Sequence, residues 1–262
     1  MILKRRVSLN GVQLDELDNR ILITSIDEAA GKESLSATNT QARSGQRITR
    51  NRRDTLDVTV KFAINIRNDD MAARSQLLEA VNAWASGGGY LRLNYRPDRR
   101  LRVILSQAPG EGDMFNWANE FTIVFRAFSV PFWEQDTTAE ASSNTASSGS
   151  FYIEVLGNTE TVAEFTVENK SGKDISTVKL KIGNSEMTFT GDGMLPAGEK
   201  LIIDHAGNEN GLFYLRARAG SVSVLKFRSG ANDFYVAPGV NTVTFSAGRA
   251  VRVIASVRGR YL

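Results

Sequence analysis

The chain has 262 residues, 42% of them hydrophobic, with no cysteine, one histidine and a formal net charge of +3. That length suits one large or two ordinary domains, and the apolar content supports a real core. The missing cysteines exclude disulfides, thiolate nucleophiles and Cys-ligated metals. No apolar run approaches the ~18 residues of a membrane span, and the opening MILKRRVSL lacks the apolar stretch of a secretion signal. Neither membrane insertion nor signal-directed export is expected.

Residues 7–14, VSLNGVQL, hold the Asn-Gly pair of a tight hairpin turn, and 20–26, RILITSI, read as a strand. Next comes SGQRITRNRRDTLDVTVKFAINI. Arg47, Arg50, Arg52 and Arg53 fall within seven residues, which reads as a basic loop. From Thr55 the pattern alternates strictly: Leu56, Val58, Val60, Phe62, Ile64 and Ile66 share one face of a half-buried strand. Residues 68–89 read as a helix. Asn68, Asp69 and Asp70 suit its N-terminus, Met71, Leu77, Leu78, Val81 and Trp84 form a stripe, and three glycines stop it. YLRLNY and RLRVILSQ flank RPDR as a second hairpin. A strand over 119–133 closes this first part, ending at Pro131.

The stretch 134–150, EQDTTAEASSNTASSGS, has no large apolar residue and reads as a linker. It separates a domain over 1–133 from one over 151–262. The second reads as all-β, with strands near 151–155, 163–168, 175–182, 186–190, 199–204, 212–218, 222–228, 233–237, 241–246 and 250–257. Their punctuation is the signature of a β-sandwich. The closing AVRVIASVRGRYL is assigned to that sandwich. The expected fold class is thus mainly β: an α+β first domain with one helix, then an all-β sandwich.

Catalytic chemistry is sparse. His205, the single histidine, reads as a surface turn residue. No GxSxG, HExxH or Cys/His metal spacing occurs. Ser171-Gly172-Lys173 lacks the upstream glycine of a P-loop, and GDG at 191–193 and DHAGNEN at 204–210 read as β-turns. No catalytic residue, metal or cofactor is assigned. Among the aromatics Phe213, Tyr214, Phe234 and Tyr235, alternation sends about half to the core. Tyr214 and Tyr235 are the candidates for stacking on a sugar. Charge is segregated. Residues 41–53 carry five arginines and no acid, whereas 134–164 carry Glu134, Asp136, Glu140, Glu154, Glu160 and Glu164 and no base. Such segregation suits complementary protein surfaces better than nucleic acid, which calls for a one-sided basic excess.

The order of these features resembles the distal tail protein (Dit) family of long-tailed bacteriophages. It runs from NGVQLDEL through RNRRDTLDVTVKF, LLEAVNAWASGGG, YRPDRR and AFSVPFW to VLGNTETVAEFTVEN, LPAGEKLIID and DFYVAPGVNTVTF. The resemblance implies a non-enzymatic virion protein, made in the bacterial cytoplasm and placed at the tail tip or baseplate. Its first domain would build a homo-hexameric ring under the tail tube. Its second, galectin-like or carbohydrate-module-like, would hold receptor-binding or accessory tail proteins and leaves room for a host-surface saccharide. No sugar-binding residue carries over. Direct nucleic-acid binding is not expected. In this setting Arg47, Arg50, Arg52 and Arg53 become candidates for contacts between subunits or with the tail tube, in a loop mobile until partnered. Asp15, Glu16, Asp18, Glu111 and Asp113 offer acidic partners in the same chain. The rival class is a free carbohydrate-binding module.

Overall fold

A computed structural model describes residues 5–29, 32–39, 46–66, 70–110, 120–127, 130–207 and 213–262, with side chains described except at 32–39, 46–54, 207 and 213. The fold is mainly β and divides into two compact units, Met1–Trp133 and Glu134–Leu262.

The first unit begins with β1 (Val7–Leu9) and β2 (Val12–Gln13), joined through Asn10 and Gly11 at φ of 52° and 88°. Both central residues therefore occupy the left-handed region that a two-residue hairpin with primed turn geometry needs. A four-residue helix, α1 (Leu14–Leu17), precedes β3 (Ile21–Glu28), β4 (Lys32–Asn39) and β5 (Gln46–Ile64). Helix α2 (Met71–Ser86) leads to β6 (Gly89–Leu93), β7 (Arg96–Gln107) and β8 (Glu120–Ala127). The main sheet is ordered β2-β1-β6-β7-β8-β5-β3, with β4 beside the early part of β5.

The predicted alternation positions the core. Leu56, Val58, Val60, Phe62 and Ile64 are all buried, opposite a matching set from Phe121 to Ala127. Phe62 stacks on Phe121 with centroids 5.5 Å apart. Each such side chain stabilises by about 1.5–3 kcal/mol when fully removed from water. Helix α2 is 16 residues long, which at ~1.5 Å per residue is about 24 Å. Asp70 caps it by accepting from the Ala73 N–H, while Asn68 and Asp69 lie outside the described residues. Its buried stripe is Arg74, Leu77, Leu78, Val81 and Ala85, so Met71, expected inside, is exposed and an arginine occupies the stripe. Trp84 meets Phe125 edge-on at 5.8 Å and donates to the Val12 carbonyl at 3.1 Å.

Two turn assignments change. The second hairpin turns at Asn94–Tyr95, with Leu93 facing Arg96, so RPDR begins β7 rather than forming the turn. The glycines after α2 do more than stop it. Asn10 donates to the Gly88 carbonyl at 2.9 Å and accepts from the Tyr90 N–H at 2.9 Å, so the first hairpin turn is locked onto the helix exit.

The second unit starts earlier than expected. After β9 (Trp133–Gln135), the stretch read as a linker forms β10 (Ala139–Ser142) and the first half of β11 (Ala146–Val155). Then follow β12 (Thr161–Asn169), β13 (Ile175–Ile182), β14 (Ser185–Leu195), β15 (Lys200–Gly207), β16 (Phe213–Ala219), β17 (Val222–Ser223), β18 (Arg228–Gly230), β19 (Tyr235–Val236), β20 (Gly239–Val257) and β21 (Arg260–Tyr261). The strand expected over 222–228 is β17 followed by a 3-10 turn at Leu225–Phe227. The strands expected at 241–246 and 250–257 are one strand, β20.

That strand organises the unit. Its first half pairs with β11 on one side and β13 on the other; its second half pairs with β10 and β12. One layer is β11, β20, β13, β14 and β18, the other β10, β20, β12, β15, β16 and β17. Both enclose a single core that includes Ile153, Phe165, Leu180, Phe189, Phe234 and Val253. Val243, Phe245 and Ala247, then Val251, Val253, Ala255 and Val257, face that core, with exposed Gly248 and Arg249 between them. The closing AVRVIASVRGRYL lies in the second unit, as assigned.

Candidate interaction surfaces

Arg47, Arg50, Arg52 and Arg53 do not lie in a loop. They belong to β5, which extends from the sheet as a two-stranded arm with β4: Arg47 faces Thr38, Arg50 faces Ser36, Arg52 faces Ser34 and Arg53 faces Glu33. Beyond this arm β5 enters the sheet, where Leu56 meets Ala127. Four of the predicted arginines are thus gathered on one arm strand.

The acidic residues proposed as their partners are largely engaged elsewhere. Asp18 binds Arg20 through both oxygens at 2.8 and 2.7 Å, and this hydrogen bonding lowers the Asp18 carboxyl to about 2. Asp15 lies 3.6 Å from Arg6, and Glu16 closes a capping box with Gln13. Glu111 and Asp113 lie outside the described residues.

In the second unit Tyr214 and Tyr235 are 51% and 49% exposed, whereas Phe234 is fully buried against Phe165 at 4.6 Å. Tyr214 faces Ala206 on β15 and Tyr235 faces Val162 on β12, both positions that alternate with core residues. Directly opposed residues share a face, so both rings emerge on the solvent side. Polar neighbours of Tyr235 already have partners. Ser185 accepts from its N–H at 3.1 Å, and Asp233 accepts from its hydroxyl at 3.4 Å. Burial first, then the Asp233 charge, raise the Tyr235 pKa.

His205 is not a surface turn residue. It follows Leu201 and Ile203 on the same side of β15, with its side chain 12% exposed. Nε2 lies 2.8 Å from Asp233 Oδ1, and Nδ1 is 3.6 Å from Glu164 Oε1, an ion-pair rather than a hydrogen-bond distance. Burial disfavours the imidazolium, but the Glu164 and Asp233 carboxylates outweigh it and the pKa rises above 6.5. The missed signal was parity: position 205 continues the inward-facing series 201, 203. Nearby, Asp204 accepts from Arg216 Nε and Nη2 at 2.9 and 2.7 Å, a bidentate pair that raises the guanidinium pKa.

The Ser171-Gly172-Lys173 turn is a latch rather than a phosphate cradle. Buried Asn169 donates to the carbonyls of Lys173, Leu195 and Pro196 at 2.8, 3.2 and 2.9 Å and accepts from Ser171 N and Oγ at 3.0 and 2.7 Å. GDG at 191–193 lies within β14 rather than in a β-turn, and of DHAGNEN only residues 204–207 are described, in β15. Among the described residues no group of three His, Asp or Glu side chains could hold a metal, and no helix is long and apolar enough to cross a membrane.

The fold of this chain is similar to that of a solved phage protein. The solved structure of SPP1 Dit (gp 19.1), described as a paradigm of hub adsorption apparatus in phages infecting Gram-positive bacteria, superposes with a TM-score of 0.66 at 11% identity. The match covers 98% of this chain and 99% of that one. Two structures of the phage p2 baseplate in its activated conformation, with Sr and with Ca, match at a TM-score of 0.46 and 6% identity over 97% of this chain and 97% and 98% of theirs. No family model matches the sequence, and neither does any curated protein sequence.

Proposed function

We propose that this chain is a structural protein of a phage virion, a distal tail hub whose first unit closes into a homo-hexameric ring beneath the tail tube. Its second unit offers a scaffold for receptor-binding or accessory tail proteins. The observation that carries this reading is a shared fold over essentially the whole of both chains, 98% and 99%, rather than over one module. The arm formed by β4 and β5 supports it. A two-stranded extension bearing Arg47, Arg50, Arg52 and Arg53 suits a role in which guanidinium groups pair with carboxylates on a neighbouring subunit or on the tail tube. A role without catalysis is consistent with the single histidine being enclosed by two carboxylates.

Light scattering coupled to size exclusion, with negative-stain imaging of the same fractions, tests the proposal. The expected result is six-fold rings at micromolar concentration. A strictly monomeric chain up to ~100 µM, in low and high salt, overturns it.

A further inference from the structure

The stretch 134–150 has no place in the proposed function so far. In the structure it supplies an edge. Residues 139–155 run beside β20 almost without interruption, from Ala139 opposite Val257 to Val155 opposite Gly239. Among the described residues neither β10 nor β11 has a strand on its other side. Alternate N–H and C=O groups of that side are therefore free to take up another strand. Exposed edges are normally guarded by lysine, proline or inward-pointing charge. From Ala139 to Val155 there is no lysine, arginine or proline, and the only charges are the exposed Glu140 and Glu154. The pairing is irregular at 143–145, between the two strands, and again between Ala146 and Ser148, after which eight residues pair regularly. Ser147, Ser148, Gly149 and Ser150 are exposed and small, so a neighbouring backbone can approach closely.

Among the described residues a second strand edge is open in the same chain. Among the described residues β5 is paired with β4 alone from Gln46 to Thr55, because β8 joins it only from Leu56. That segment carries four arginines and one acid, Asp54. One free strand edge is acidic, the other basic. Complementary charge selects partner and register, while backbone hydrogen bonds supply the strand pairing.

We propose that the outer edge of β5 in one copy of this chain adds as a strand to the open edge of β10 and β11 in a second copy. The contact is heterologous, as a closed ring requires, and the proposal rests on the ring-forming reading above. Arginines of the arm then lie beside Glu140 and Glu154 of the neighbour.

The chain has no cysteine, so single cysteines report the contact directly. Chains bearing Ser147→Cys, Ser148→Cys or Ser150→Cys are each mixed with chains bearing Arg50→Cys and mildly oxidised. A disulfide requires Cα atoms within about 7 Å, so at least one mixture is expected to give a covalent dimer absent from either variant alone. In parallel, Glu140→Lys with Glu154→Lys should raise the concentration for half-assembly at least tenfold without moving the melting temperature. Adding chains with Arg50→Glu and Arg52→Glu should restore it. Rings that form normally while every mixture stays uncrosslinked, or charge reversal that leaves assembly unchanged, overturns this contact but leaves the hub reading standing. A wild-type chain that never forms rings overturns both.

Discussion

Gly89→Ala is expected to be among the most damaging single-methyl additions in the first unit. Gly89 sits at φ +135°, and a Cβ there would lie 2.0 Å from Asn10 Oδ1 and 2.4 Å from Asn10 Nδ2. Alanine therefore expels the Asn10 amide from its place between Gly88 and Tyr90. Two hydrogen bonds of 2.9 Å are lost, worth about 0.5–1.5 kcal/mol each. The disfavoured φ adds about 1–3 kcal/mol. The total is about 2–6 kcal/mol. Urea unfolding of the full chain, followed by tryptophan fluorescence, measures it; the tryptophans at positions 84 and 133 report on this unit. Asn10→Ala alone should cost about 1–3 kcal/mol, because it removes the bonds but not the backbone strain. In the double variant the clash partner is already gone, so the two costs should add to clearly more than the measured total. Strict additivity, or a Gly89→Ala effect below about 1 kcal/mol, would refute the lock.

Three other outcomes are expected. Asn169→Ala should destabilise the second unit by about 2–4 kcal/mol, since it strips a buried junction of five hydrogen bonds; calorimetry should show only one of two transitions moving. The folded His205 pKa is raised above 6.5, so its stabilising contribution is complete below pH 6.5 and is lost as pH rises through the folded value. The melting temperature of the second unit should fall over that window in the wild type and stay flat there in His205→Gln, and NMR titration of the single imidazole gives the pKa directly. Replacing Arg47, Arg50, Arg52 and Arg53 by serine should leave the melting temperature of the isolated chain within about 2 °C of wild type, because on this reading their partners lie on another molecule. The same variant should assemble into rings poorly, more so at high salt, and unchanged assembly would remove the arm from the interface.

The parts of this fold legible in the sequence are those where one side of a strand or helix is buried and the other is wet. Leu56 to Ile64, Ile175 to Ile182 and the Leu77–Leu78–Val81 stripe all qualify, because burial on one face imposes the period directly. The misread parts lack that asymmetry. The arm around Arg50 is held by backbone pairing to the preceding strand β4, which no apolar alternation announces, and its arginines resemble a solvated loop to any local rule. Residues 139–150 form an edge with one neighbour only, so small hydroxylated side chains suffice and nothing apolar announces a strand. Gly248 and Arg249 broke the alternation of β20 where it passes between layers, which made one strand look like two. His205 kept the inward parity of Leu201 and Ile203, but its polarity masked it, and its partners Glu164 and Asp233 are distant in sequence. For the candidate contact surface, charge segregation was visible along the chain; that both charged stretches form strands with one side unpaired among the described residues was not.

The course of β20 has a consequence for the order in which the protein is made. This strand is the shared middle of both layers, yet it is the last long strand of its unit to be synthesised. Until it emerges, β10 and β11 have no partner in the unit, β12 and β13 each lack one side, and the edges of an unfinished sheet are exposed. The first unit has all of its long strands by Ala127 and can fold while the rest is still being translated. The second must wait, joining Val155 to Gly239 across 84 residues and Ala139 to Val257 across 118 in its final step. Such distant closures are slow, so a pulse of nascent chains should show the second unit protease-sensitive long after the first has become resistant.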